Sequence, residues 1–195
     1  YSRYKPSTFL KEISSISYAK IQEQLYNYPG FFVQTRTLRK YPRNSAAHIL
    51  GYIREVNQSV IEKKPYYRSG DYIGKSGLEY SYEEILRGTR GVKWIQVDVH
   101  NRAKGSYKDG EKDTVAVTGS VLKTTLDIVL QEYGELLMQN KKGSIVAIEP
   151  ETGEILSLVS APNYDPNMLV GRAVGKNYPA LSKDTLNPLF NRALM

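Results

Sequence analysis

Residues 120–123 spell S-V-L-K, the S-x-x-K spacing at which a lysine can take the proton of a serine hydroxyl and make it an acylatable nucleophile. A second match, S-Y-A-K, lies at Ser17–Lys20. Such a pair works only where both side chains share one helix face. Val121 to Leu126 reads as an alternating strand, in which residues three apart point to opposite sides, so Ser120 and Lys123 are not expected to meet. Ser17 reads as a helix N-cap, with its hydroxyl committed to backbone amides. The S-x-N or S-D-N element and the K-T-G strand that complete such a site are missing. His48 and His100 are the only histidines, and neither has a second ligand or a carboxylate at metal spacing. No phosphate-binding glycine motif follows a strand. The residues therefore predict no catalytic constellation, no metal site and no cofactor.

The elements that would position any chemistry must come from 195 residues, enough for one large domain or two small ones. Hydrophobic residues at 41% and charged residues at 24% fit a globular chain. No run approaches the ~18 apolar residues of a membrane span, and the opening "YSRYKPSTFL" has no signal-peptide core. Any anchor or export signal is expected outside this chain. Without cysteine there are no disulfides, which decides little about compartment. Charge is uneven. Residues 1–115 carry 20 Lys/Arg against 12 Asp/Glu, or +8, while residues 116–195 carry 7 against 8, or −1. The first part also holds 13 of the 16 tyrosines. A basic, aromatic first unit suits an anionic partner (nucleic acid, a membrane surface or a phosphate-bearing lipid) or a merely solvated face.

Periodicity predicts a helix over "SISYAKIQEQLYNYPG", with Tyr18, Ile21, Leu25 and Tyr28 as its stripe. A strand follows in "FFVQTRTLRKYP", with Phe31, Val33, Thr35 and Thr37 on one face and Arg36 and Lys40 on the other. "SAAHILGYI" reads as a helical turn entering a strand. In "GDYIGKSGLEYSYEEILRGTRG", Ser76 and Glu79 form a capping box. There Leu78, Tyr82, Ile85 and Leu86 make a stripe, and Gly88 stops the helix. "VKWIQVDV" reads as a strand and "NRAKGSYKDGEKD" as a loop, with a domain boundary near 115. Beyond it, Asp127 caps a helix carrying Val129, Leu130, Tyr133, Leu136 and Leu137. A hairpin then closes around Pro150-Glu151-Thr152-Gly153. The fold class is α+β.

Five stretches, in order, resemble the class B penicillin-binding proteins, most closely the elongation-type group. "YPGFFVQTRTLRKYPRNSAAHILGYI" and "GDYIGKSGLEYSYEEILRGTRG" resemble the non-catalytic, dimerisation-type pedestal. The central G-L-E-x-x-Y-E-x-x-L-R-G pattern of the latter is approximated by Gly77, Leu78, Glu79, Tyr82, Glu83, Leu86, Arg87 and Gly88. "GSVLKTTLDIVLQEYGE", "GSIVAIEPETGEILSLVSAPNYDPN" and "NPLFNRALM" resemble the opening of the transpeptidase domain. The resemblance implies a pedestal at 1–115 and an incomplete transpeptidase domain at 116–195. It also implies a nucleophile just beyond Met195, so that no catalytic residue falls on any position here. Ile145 to Val159 would be the first hairpin of the transpeptidase sheet, and Thr125, Asp127 and Gln131 the entry beneath it. Glu79, Arg87 and Arg90 would serve pedestal packing and its junction.

The parent would be an anchored D,D-transpeptidase at the periplasmic face of the cytoplasmic membrane, cross-linking peptidoglycan stems through an acyl-enzyme and mimicked by β-lactams. The pedestal would meet a SEDS-family glycan polymerase and rod-shape scaffold proteins, or a second copy of itself. The complete parent would also bind peptidoglycan or its lipid-linked precursor. A division-type relative, an autonomous serine hydrolase and a basic nucleic-acid binder are the alternatives. The last lacks any recognised module, and its basic residues alternate with acids. An incomplete sheet over 143–161 is expected to leave apolar surface and an open edge.

Overall fold

The structure, a computed structural model, describes residues 7–35, 37–100 and 102–194. Short helices and strands alternate: α1 (Ser15–Gln22), α2 (Ala47–Leu50), β1 (Ile53–Glu55), α3 (Gln58–Lys63), β2 (Tyr72–Gly74), α4 (Gly77–Ser81) and α5 (Glu83–Arg87). Then come β3 (Ile95–Val97), β4 (Ala103–Ser106), α6 (Ile128–Leu137), β5 (Gly143–Ile148), β6 (Ile155–Ala161) and α7 (Ala173–Lys183). Among the described residues the strands pair antiparallel as β1–β2, β3–β4 and β5–β6. The α+β reading holds.

Two compact units emerge, and the chain passes between them more than once. One comprises the described residues of Tyr1–Thr37 and Arg87–Gly119, the other those of Leu38–Leu86 and Ser120–Met195. Residues 38–86 thus pack with the C-terminal part of the chain, across the sequence boundary near 115.

In the first unit Ser14, not Ser17, caps α1: its Oγ accepts the Ser17 amide at 3.1 Å. The anticipated strand over 31–42 is absent among the described residues, and Arg36 lies outside them. A strand needs a paired ladder, whereas Phe32 is 88% exposed and Phe31 stacks edge-on with Phe9 and Tyr28 at 5.6 and 6.3 Å. The presumed loop after Val99 instead contains β4. Asp98 Oδ1 receives the amides of His100 and Arg102 at 2.8 and 2.9 Å, which turns the chain back onto β3. Asn101 lies outside the described residues.

Every buried apolar side chain among the described residues belongs to the second unit. Leu169 is fully buried with Ala47, Tyr164 and Val174, and Val56, Tyr67 and Ile73 form a second cluster. The β5–β6 hairpin turns where expected, with Gly153 at φ +76° donating to the Glu149 carbonyl at 2.8 Å.

Asp127 caps α6 as anticipated, accepting from Val129 and Leu130 at 2.8 and 3.1 Å. The face that α6 turns to β6 was not anticipated. Gln131 and Gly134 are buried, while the apolar stripe from Val129 to Leu137 is exposed. No strand forms over 121–126. There, single hydrogen bonds reach the edge of β6 one at a time. Thr125 Oγ1 donates to the Ile155 carbonyl at 2.8 Å and the Asp127 amide to that of Leu156 at 2.9 Å.

A Cβ at Gly134 would lie 2.8 Å from Val159 Cγ2, which is itself buried. Gly134→Ala is therefore expected to destabilise the second unit by about 1–2 kcal/mol, overpacking outweighing the gain in helix propensity. The midpoint of urea unfolding measures this, and a raised midpoint would contradict the packing described.

Candidate functional site

Side chains from distant segments converge where the loop before α2 meets α6 and the chain after β6. Ala46 adopts a left-handed conformation, φ +59°, that turns its amide toward α6. Glu135 Oε1 accepts that amide at 2.8 Å and Gln131 Nε2 at 2.9 Å, and its Oε2 accepts Asn163 Nδ2 at 3.0 Å. One turn earlier on α6, both Glu132 oxygens accept from Arg43 Nη1 at 2.9 Å. Asn167 closes the other end: its Oδ1 accepts the Tyr41 amide at 3.0 Å and its Nδ2 donates to the Tyr41 carbonyl at 2.9 Å.

Gln131 is the buried centre of this bracket. Its side-chain amide pairs with the main chain of Leu158 as a neighbouring strand would, receiving the amide at 2.9 Å and donating to the carbonyl at 3.0 Å. It also accepts from Ser157 Oγ at 3.0 Å. The edge of β6 is therefore covered at this point, contrary to the expected open edge. Val146, Ile148 and Ile155 of the same hairpin nevertheless remain exposed.

Glu79 is buried, but not as part of a capping box. Ser76 occupies the N-cap position without a side-chain hydrogen bond, and the Glu79 carboxylate is taken by other partners. It accepts from Arg39 Nε at 2.9 Å and Nη2 at 3.1 Å, and from Tyr41 OH at 3.4 Å. Burial, reinforced by the Glu79 charge, raises the Tyr41 phenol well above its ordinary range. Burial likewise pushes Tyr164 and Tyr52 up to about 12. These phenols remain neutral donors at any physiological pH. Arg87 and Arg90, assigned with Glu79 to the pedestal junction, are half-buried.

His48 Nε2 donates to the Pro188 carbonyl at 2.8 Å, and its ring meets Tyr164 edge-on at 5.3 Å. Burial is the main cause holding its pKa below the ordinary 6.5, against the opposing effects of the Pro188 bond and Glu135, and with Arg192 adding to the lowering. The unfolded chain therefore binds the proton more readily than the folded one. Stability is full above about pH 6.5 and falls as the pH drops through that value toward the folded pKa. His48→Gln is expected to flatten this dependence between pH 7.5 and 5.5. An unchanged slope in urea unfolding would contradict it.

Neither S-x-x-K match is assembled as a site. Ser120 is exposed and its amide donates to the Ile85 carbonyl at 2.9 Å. Among the described residues no hydrogen bond joins its hydroxyl to Lys123. The irregular backbone over 121–126, not a strand, carries this pair. Ser17 Oγ accepts from Ser14 Oγ at 2.9 Å, and no hydrogen bond among the described residues links it to Lys20. His100 lies in the β3–β4 turn, far in sequence from His48 and in the other unit. What the arrangement does is fasten distant chain segments to one another.

Residues 1–124 match the family described as the penicillin-binding protein dimerisation domain. The chain belongs to that family. Among relatives of this dimerisation-domain chain, the peptidoglycan D,D-transpeptidase MrdA of Acinetobacter baumannii is 36% identical over 93% of the chain. MrdA of Escherichia coli K12 is 35% identical over the same share. The chain spans only 27% and 29% of those relatives' lengths. Its structure resembles penicillin-binding protein 2 in a complex with MreC from Helicobacter pylori, with a TM-score of 0.81 and 27% identity. That likeness covers 97% of this chain and 37% of the other. The Pseudomonas aeruginosa penicillin-binding protein 2 matches over 80% of the chain with a TM-score of 0.62 and 33% identity. The family inferred from residues 28–53 and 70–91 is the one found. No helix of the described residues is long and apolar enough to cross a membrane.

Proposed function

We propose that these residues belong to an elongation-type peptidoglycan D,D-transpeptidase and form its non-catalytic support. Residues 1–115 would be the pedestal and residues 116–195 the start of the transpeptidase domain. The longer protein would act at the periplasmic face of the cytoplasmic membrane. Its serine, lying after position 195, would attack the D-Ala-D-Ala carbonyl of a stem peptide and expel D-alanine. The amine of a neighbouring stem would then take the acyl group and free the serine. Support comes from the transpeptidase relatives. The observation that carries most weight is the likeness, over nearly the whole chain, to a penicillin-binding protein 2 solved with MreC.

The first unit is read as a partner-binding surface. Among the described residues it contains no buried apolar side chain, while Phe9, Tyr26, Phe31, Phe32 and Val33 are exposed. Solvent-exposed aromatics in this density mark interaction sites. A rod-shape scaffold protein or a SEDS-family polymerase would cover them. Phe31→Ala with Phe32→Ala is expected to weaken binding to purified scaffold protein at least tenfold in a calorimetric titration. Unchanged affinity would remove this surface from the proposal, and self-association in sedimentation would assign it to a second copy.

A further inference from the structure

The last segment before the expected nucleophile, residues 184–194, has no regular structure beyond turns, yet it is held closely. Its anchor is Ser160, a buried residue of β6. Ser160 Oγ donates to the Phe190 carbonyl at 3.1 Å and accepts the Arg192 amide at 3.0 Å. The Arg192 side chain then folds back over the turn preceding it. Its Nη2 donates to the Leu186 carbonyl at 2.8 Å, and its Nη1 to the carbonyls of Asn187 and Phe190 at 3.2 and 3.3 Å. The guanidinium lies 5.5 Å from the centre of the Phe190 ring.

Two further bonds hold the same turn. Asp184 Oδ1 accepts the Leu186 amide at 2.8 Å, and His48 donates to Pro188. Every hydrogen bond of the Arg192 guanidinium among the described residues goes to a main-chain carbonyl. A planar fork with five donors can span three carbonyls, whereas a lysine ammonium is a single point. This is how an arginine fixes a path of backbone: it gives the Leu186 carbonyl a partner and adds a second donor to the Asn187 and Phe190 carbonyls.

We propose that Arg192, together with Ser160, is the positioning residue that fixes the path of residues 186–192 against β6 and so sets where the acylated serine of the longer protein stands. The inference rests on the transpeptidase reading above. It gives no contact with substrate to Arg192. Misplacing a reacting group by about 1 Å can cost on the order of 100-fold in rate. Loss of the clamp should therefore show in the acylation step more than in the non-covalent binding that precedes it.

The test uses the longer protein and a fluorescent penicillin, resolving the non-covalent dissociation constant from the first-order acylation rate. Arg192→Ala is expected to lower the acylation rate at least tenfold while changing the dissociation constant less than threefold. Arg192→Lys keeps the charge and the aliphatic stem but not the fork, so it should recover only part of the loss, and full recovery would show that the fork is not what positions the chain. If Arg192→Ala does not fold, Ser160→Ala, which removes one hydroxyl, is expected to slow acylation threefold or more. Folded variants acylated within twofold of the parent rate would overturn the inference and leave the transpeptidase reading intact. An unmodified longer protein of native sequence would overturn both.

Discussion

Gly51→Ala is expected to cost the second unit about 4 kcal/mol or more, enough to unfold a marginal domain. A Cβ at this position would lie 1.9 Å from the Ser76 carbonyl oxygen, and the residue sits at φ +79°. The interference is reciprocal, since a Cβ at Gly77, φ +58°, would lie 2.3 Å from the Ile49 carbonyl oxygen. Here two backbones cross in contact, and neither can withdraw as a flexible side chain could. The consequence extends beyond the crossing. Gly51 ends α2, the helix that begins at Ala46–Ala47, and the Ala46 amide is the group held by Glu135. Circular dichroism with urea titration measures the loss. A variant as stable as the parent to within 1 kcal/mol would show that α2 and α4 do not cross in this way.

The second large effect is expected at Gln131. Gln131→Ala removes the partner of both the amide and the carbonyl of Leu158 and that of Ser157 Oγ, and leaves Glu135 Oε1 with the Ala46 amide alone. Each buried polar group left unsatisfied costs about 1–3 kcal/mol. Water entering the vacated space would recover part of this, so a loss of about 3 kcal/mol is expected. Amide exchange at Leu158 should accelerate in the same variant, because the edge of β6 is uncovered there. Gln131→Ala and Glu135→Ala should be non-additive, since the two side chains share a hydrogen bond. Additive losses would mean that Gln131 and Glu135 act independently.

The hairpin and the Asp127 cap were legible in the sequence because both are local. Each depends on residues within a few positions, a turn glycine in one case and a side chain reaching its own helix start in the other. The family was legible because its motifs recur in order along the chain. Long-range demand was not legible. Glu79 sits where a capping glutamate belongs, but Arg39 and Tyr41, forty positions upstream, take its carboxylate. The apolar stripe of α6 suggested a buried face, whereas the helix buries Gln131 and Gly134 instead. Val121 to Leu126 carries strand-like residues without a partner strand, and pairing, not alternation, makes a strand. Nothing in periodicity or spacing marked Gln131 as buried, because a lone glutamine on a helix reads as a solvated one; only the family resemblance set it beneath the hairpin.

The exposed stripe of α6 and the outer side of the β5–β6 hairpin make sense together if more polypeptide belongs on them. The chain accounts for less than a third of the length of its transpeptidase relatives MrdA of A. baumannii and E. coli. Burying each of these side chains would contribute roughly 1.5–3 kcal/mol, so the rest of the domain would gain stability by docking there. On the proposed function, these side chains are where the rest of a longer protein would dock.

Incubation with a fluorescent penicillin, read by intact mass on the 195-residue chain and the longer protein side by side, tests this claim most directly. The account predicts no adduct on the chain and a single one on the longer protein, at a serine following position 195. A stable adduct on Ser17, Ser120 or any other serine of these 195 residues would contradict it.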